Sequence, residues 1–204
     1  MNLNTLTTIF FDVDGIFTDG SLYYSDDGGN ISKFNVHDGM GCVLLKQLGV
    51  EVLILTARHS DGVVCRFKEL GIEKIFTNVI KKRDFIKEYT KSHSLDKDQL
   101  AMVGDDLQDF VTKDIVGFFF TTPNAIDIVK DNADYITKRF GGNGAVREIC
   151  ELIINSKGSN PLREFEGYLK QIWISILITK FKKYQKVFLE HHFGFGINFA
   201  KITY

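Results

Sequence analysis

The chain has 204 residues, 44% hydrophobic and 25% charged, which is enough apolar content to bury the core of one ordinary domain with an appendage. A net charge of −1 gives no global attraction for nucleic acid, and the apolar run IWISILI at 172–178 is far too short to span a bilayer. Cys42, Cys65 and Cys150 are odd in number and widely spaced, which excludes a disulfide or zinc framework and points to reduced core residues of a cytosolic protein. The N-terminal MNLNTLTT has no basic n-region and no long apolar segment, so no signal peptide is predicted.

In chain order, the first predicted element is the strand TIFF (8–11), an apolar run that fits a strand buried on both faces. It ends abruptly in Asp12, Val13 and Asp14, with Asp19 close behind. The segment SLYYSDDGGNISKFNV (21–36) then reads as two short strands around a DDGGN turn, a β-hairpin. A helix from Asp38 to Leu48 closes at Gly49 and is followed by the strand EVLIL (51–55). A second helix, Ser60 to Leu70, closes at Gly71; Ser60 suits the N-cap, and Val63, Val64, Phe67 and Leu70 share one face. Further strands are predicted at KIF (74–76), LAMV (100–103), VGFFF (116–120) and DYI (134–136), with helices at 81–91, 106–113, 124–131 and 144–156. This alternation is the pattern of an α/β fold with a parallel sheet. The stretch NSKGSNP (155–161) is linker-like, so the expected organisation is a domain over 1–157 and a helical extension over 158–204.

Open parallel sheets bind ligands at the carboxyl ends of their strands. Residues following the first four core strands therefore converge: Asp12 and Asp14, then Thr56 and Arg58, then Lys81 and Lys82, then Asp105, Asp106 and Asp109. Crowded carboxylates repel unless something neutralises them, and hard oxygen donors favour Mg²⁺ over zinc. A hydroxyl and a lysine beside such an ion would hold phosphoryl oxygens. Asp12 can attack phosphorus to give an aspartyl-phosphate, and Asp14, two residues on, can act as general acid and then general base. Asp109, one helical turn beyond, faces either this rim or solvent.

FDVDGIFTDG, TARHS, Lys82 and GDDLQD together resemble the four motifs of the haloacid dehalogenase (HAD)-like phosphatases. With the hairpin, FNVHDGMG and GGNGAVREIC, the chain from about 6 to 156 resembles their capless branch of 3-deoxy-D-manno-octulosonate 8-phosphate phosphatases. The resemblance implies a Rossmann-like core with a hairpin flap and no cap domain, Mg²⁺ as cofactor, and a phosphorylated keto-sugar acid of the lipopolysaccharide pathway as substrate. It also implies a homotetramer, in keeping with the cytoplasmic location that the cysteines indicate. Carried over by position, Asp12 is the nucleophile and Asp14 the acid/base. The metal ligands are Asp12, the Asp14 backbone carbonyl and Asp105, supported by Asp106, and Thr56 and Lys82 hold phosphate. Arg58, read from the residues themselves, either contacts substrate, the favoured reading, or only pairs with a carboxylate. The loop GGNGAV would lie at a helix N-terminus near the site, where free N–H groups could meet an anion. Two positions depart from the family pattern: Ala57 stands where TGR is usual, and His37 where Arg is usual.

Rival readings are a nine-carbon acylneuraminate-type phosphate as substrate, a receiver-like phospho-acceptor module, or a non-catalytic binder. A receiver carries its acceptor Asp after the third strand, and KIF is followed by no adjacent Asp. In the tail, Phe165, Leu169, Ile172, Trp173, Ile176, Tyr184, Val187 and Phe188 recur at helical spacing among Lys170, Lys180, Lys182, Lys183 and Lys186. Packing within the protein or across an oligomer is the favoured reading of this stripe, over contact with anionic lipid.

Overall fold

The computed structural model describes residues 2–193, with side chains through residue 182. Six parallel strands form the central sheet: β1 (Thr8–Phe11), β4 (Glu51–Leu55), β5 (Ile75–Phe76), β6 (Leu100–Val103), β7 (Phe118–Thr121) and β8 (Tyr135–Ile136). Their order is β5-β4-β1-β6-β7-β8. The chain therefore runs outward from β1 through β4 to β5, then returns to the other side of β1 with β6. That reversal opens a crevice at the carboxyl ends of β1 and β6. Register brings Phe11 level with Val103, so Asp12 and Gly104 leave the sheet side by side.

Being central, β1 is buried on both faces. Ile9 and Phe11 join the core formed by α1 (Val36–Gln47), α2 (Asp61–Glu69) and α6 (Ala145–Ser156). Phe10 points the other way, into the core with Ile86 and Tyr89 of α3 (Lys82–His93) and Val129 of α5 (Asp127–Lys130). Glycines end the first two helices as the sequence indicates, Gly49 at φ +82° and Gly71 at φ +66°. Ser60 does stand at the N-cap of α2, but its side chain makes no capping bond.

Several elements differ from their sequence expectation for physical reasons. The hairpin pairs only β2 (Tyr23–Tyr24) with β3 (Asn30–Ile31); Leu22, Tyr23, Tyr24 and Ile31 are exposed, so no core surface extends the ladder. The helix expected over 106–113 is reduced to α4 (Leu107–Phe110), because the chain tightens into bonds three residues apart and the Thr112 hydroxyl donates to the Asp109 carbonyl at 2.6 Å. The helix expected over 124–131 begins only at Asp127, since Asn124 and Ile126 bond to other loops. Cys42 and Cys150 are buried as expected, whereas Cys65 is exposed on α2.

The chain divides into two compact units, Met1–Glu164 and Phe165–Tyr204. The long helix α7 (Pro161–Phe193) starts with Asn160, whose side-chain oxygen accepts the Arg163 N–H at 3.0 Å, and with proline in its first turn. Its Trp173, Leu177 and Phe181 are exposed. No described helix is long and apolar enough to cross a membrane. The side chains of Lys183, Tyr184, Lys186, Val187 and Phe188, and residues 194–204, lie outside the described residues.

Candidate active site

Asp12 follows β1 and is 5% exposed; Lys82, the first residue of α3, and Asp109, in α4, are both fully buried. The Lys82 ammonium donates to Asp12 Oδ1 at 2.6 Å and to Asp109 Oδ1 at 2.5 Å. The other Asp109 oxygen accepts the backbone N–H groups of Asp105 at 3.2 Å and Asp106 at 3.4 Å. Gly104 makes this inward aim of Asp109 possible, because a Cβ there would overlap the Asp109 side chain. Asp12, Asp105 and Asp109 each offer a carboxylate oxygen within 4.8 Å of the others.

One ammonium faces these carboxylates, so negative charge is left over. Burial raises the Asp105 pKa to about 7, with Asp109 and Asp106 adding to the effect and Lys82 opposing it. Burial likewise raises Asp12, and Asp109 reinforces it against the pull of Lys82. For Lys82, burial works against the charge, yet Asp12 and Asp109 outweigh it and raise its pKa. A cluster of hard oxygens with uncompensated charge suits a hard divalent cation. Asp109 already has both oxygens engaged, which leaves Asp12 and Asp105 better placed to face an ion.

Around this centre the loop 12–20 folds tightly, the Val13 carbonyl accepting the N–H groups of Ile16, Phe17 and Thr18. Gly15 has φ +79°, and a Cβ on it would overlap the Asp105 carboxylate, so only glycine lets the two loops meet. Asp14 is half-buried and accepts from the Arg58 guanidinium at 3.4 Å. Thr56 follows β4, is 3% exposed, and its hydroxyl oxygen accepts the Arg58 N–H at 3.3 Å. Ala57 does not have positive φ, so its methyl is accommodated without backbone strain. His37 is exposed in the first turn of α1.

The structure thus gathers Asp12, Lys82 and Asp105, and sets Asp14 with Arg58 and Thr56 beside the ends of β1 and β4. Lys82, expected to hold phosphate, also reaches two carboxylates, Asp12 and Asp109. Asp106 is exposed and caps α4, its Oδ1 accepting the Leu107 N–H at 2.7 Å. Asp109, left open by the sequence, faces inward and binds Lys82 together with Asp12. Two N–H groups at the start of α6 are already taken: Asp38, fully buried, accepts those of Gly144 at 3.2 Å and Arg147 at 2.8 Å. Asp19 accepts the Ser21 N–H at 2.9 Å and pairs with Lys33 at the start of the hairpin.

No protein-family model matches the chain. It is similar to the 3-deoxy-D-manno-octulosonate 8-phosphate phosphatase KdsC of Haemophilus influenzae, with 30% identity over 171 residues, covering 83% of this chain and 95% of the relative. Among solved structures it is similar to that phosphatase from Moraxella catarrhalis in complex with magnesium, phosphate and KDO, with 35% identity, a TM-score of 0.75, and 84% and 95% of the two chains covered. It is also similar to the cobalt-bound phosphatase of Haemophilus influenzae, with 31% identity, a TM-score of 0.73, and 78% and 92% covered. The fold, the acidic crevice between β1 and β6, and this likeness over most of both chains have one consequence: the chain belongs to the 3-deoxy-D-manno-octulosonate 8-phosphate phosphatase family of the HAD superfamily.

Proposed function

We propose that the protein is a Mg²⁺-dependent phosphatase that hydrolyses 3-deoxy-D-manno-octulosonate 8-phosphate to the free sugar acid and inorganic phosphate. The observation that carries this reading is the Asp12 carboxylate, held by Lys82 at 2.6 Å in a cluster with more carboxylates than cations. Asp12, Asp105 and the Asp14 backbone carbonyl would hold the ion. Once bound, it supplies charge neutralisation that lets a phosphate dianion approach a carboxylate nucleophile.

The rest of the chemistry belongs to the chain's own side chains. An Asp12 oxygen attacks phosphorus, and the bond from phosphorus to the sugar oxygen breaks. Asp14, oriented by Arg58, delivers a proton to the departing sugar oxygen. The same carboxylate then takes a proton from water as the water attacks phosphorus, releasing phosphate and regenerating Asp12. Lys82 fixes the attacking carboxylate and offsets its charge, and Asp109 anchors Lys82 from behind. The Thr56 hydroxyl and Arg58 are the proposed contacts of the phosphoryl and sugar-acid groups.

Residues 1–157 form the phosphatase domain and 158–204 an extension to it. The exposed Leu22, Tyr23, Tyr24 and Ile31 of the hairpin support association of copies of the chain, with a homotetramer as the proposed state. Unpaired Cys42, Cys65 and Cys150 fit a cytoplasmic place on the lipopolysaccharide pathway. Phosphate release from a panel of sugar phosphates tests the substrate: the eight-carbon keto-acid phosphate should give the highest kcat/KM. A clear preference for nine-carbon acylneuraminate phosphates, which the exposed His37 in place of a permanent cation makes the informative competitor, would overturn the choice.

A further inference from the structure

Residues 122–126, which follow β7, touch both loops that carry rim carboxylates. The Asn124 amide donates to the Gly15 carbonyl at 2.9 Å, and the Thr122 hydroxyl approaches the same oxygen at 3.4 Å. The other end of Asn124, Oδ1, accepts the Gly141 N–H at 2.9 Å. Two residues on, the Ile126 N–H donates to the Asp105 carbonyl at 3.1 Å. Gly141 has no room for a Cβ against the Gly15 carbonyl, and Gly142 donates to the Ile16 carbonyl at 3.0 Å. The two glycine loops are therefore in close contact, and Asn124 spans them.

Asn124 is exposed. Its bonds to Gly15 and Gly141 are part-buried, and a hydrogen bond exchanged for one to water contributes only modestly to net stability. Forming them also takes residues 124–126 out of a segment whose sequence suits a helix, so that α5 starts only at Asp127. What the bonds do is fix a distance. The Gly15 carbonyl and Cα belong to one residue, and a Cβ on that Cα would overlap the Asp105 carboxylate. Any shift of the carbonyl moves Gly15 against Asp105, and with it the separation of Asp12 from Asp105.

The geometry points to Asn124 as a positioning residue for the ion: by gripping the Gly15 carbonyl and the Gly141 N–H together, it sets the gap between the Asp12–Gly15 turn and Asp105, and so the affinity for Mg²⁺. This inference rests on the phosphatase reading. Partners that orient metal ligands from outside typically account for about ten- to a hundredfold in affinity.

The test is calorimetric titration of Mg²⁺ into the wild-type protein, Asn124→Ala and Asn124→Leu. Asn132→Ala serves as control, since that amide donates only to the Ile128 carbonyl one turn back in its own segment, at 2.8 Å. Melting temperatures in EDTA accompany each titration. Both Asn124 variants should bind Mg²⁺ about ten- to a hundredfold more weakly. Their melting in EDTA should match the control, and the Mg²⁺ needed for half-maximal turnover should rise by the same factor while kcat at saturating Mg²⁺ is retained. Unchanged Mg²⁺ affinity in both variants, whether or not they melt earlier, overturns the role of Asn124 alone. A wild-type protein that takes up no Mg²⁺ overturns the metal reading and this role with it.

Discussion

Asp38 and Asp12 are both buried carboxylates, yet their surroundings differ in kind. Asp38 sits on α1 and accepts two backbone N–H groups at the start of α6, those of Gly144 and Arg147. Burial raises its pKa while those two donors oppose the rise. Its charge meets the positive end of a helix, and the arrangement is complete without any ligand. Asp12 shares the single Lys82 ammonium with Asp109 and has Asp105 nearby, so its cluster is short of positive charge. A buried carboxylate that is satisfied by the fold holds the fold together; one left under-compensated stores a requirement for something the chain does not contain.

Substitutions can break this contrast, starting with the largest effect. Asp12→Asn removes the nucleophile and one ligand, and turnover should fall by about four orders of magnitude or more. Phosphate-release kinetics check this, and the metal-free variant should melt no earlier than wild type because a repelling charge is gone. Lys82→Met leaves Asp12 and Asp109 buried without a cation and should cost about 3–5 kcal/mol of stability, read from urea unfolding. Asp38→Ala should cost less, about 2 kcal/mol, by orphaning two helix N–H groups, and added Mg²⁺ should not restore it. Asp106→Ala should cost only about 1 kcal/mol, as loss of an exposed helix cap.

The same contrast has a pH signature. The folded Asp105 pKa of about 7 lies above its unfolded value, so between roughly pH 4 and pH 7 the folded state binds more protons than the unfolded one. The metal-free protein should therefore lose this contribution to stability as pH rises through that window. Mg²⁺ replaces the proton, so the gap between melting temperatures in Mg²⁺ and in EDTA should widen with pH. A gap that stays constant from pH 5 to pH 8 would remove the charge argument.

Much of this was legible in the sequence because it is local. Apolar runs ending in Asp12, Thr56 and Asp105 give both the strand and the rim position of the residue that follows. What stayed hidden depends on partners distant in the chain. Asp109 faces inward only because Lys82 and the space beside Gly104 receive it, and a one-turn spacing from Asp105 permits solvent equally well. GGNGAV reads as an open anion site because its anion, Asp38, comes from a helix over a hundred residues earlier; the separation from Gly144 is 106. The segment after β7 looks like the start of a helix, and only Gly15 and Gly141 explain why Asn124 stays outside it.

The most direct measurement is a crystal structure of the protein with Mg²⁺ and beryllium trifluoride, a mimic of the phosphoryl group on a carboxylate. Beryllium should be bonded to an Asp12 oxygen, with the ion shared with Asp105 and Lys82 still bridging Asp12 and Asp109. Beryllium on another residue, or an ion held away from Asp12 and Asp105, would contradict it.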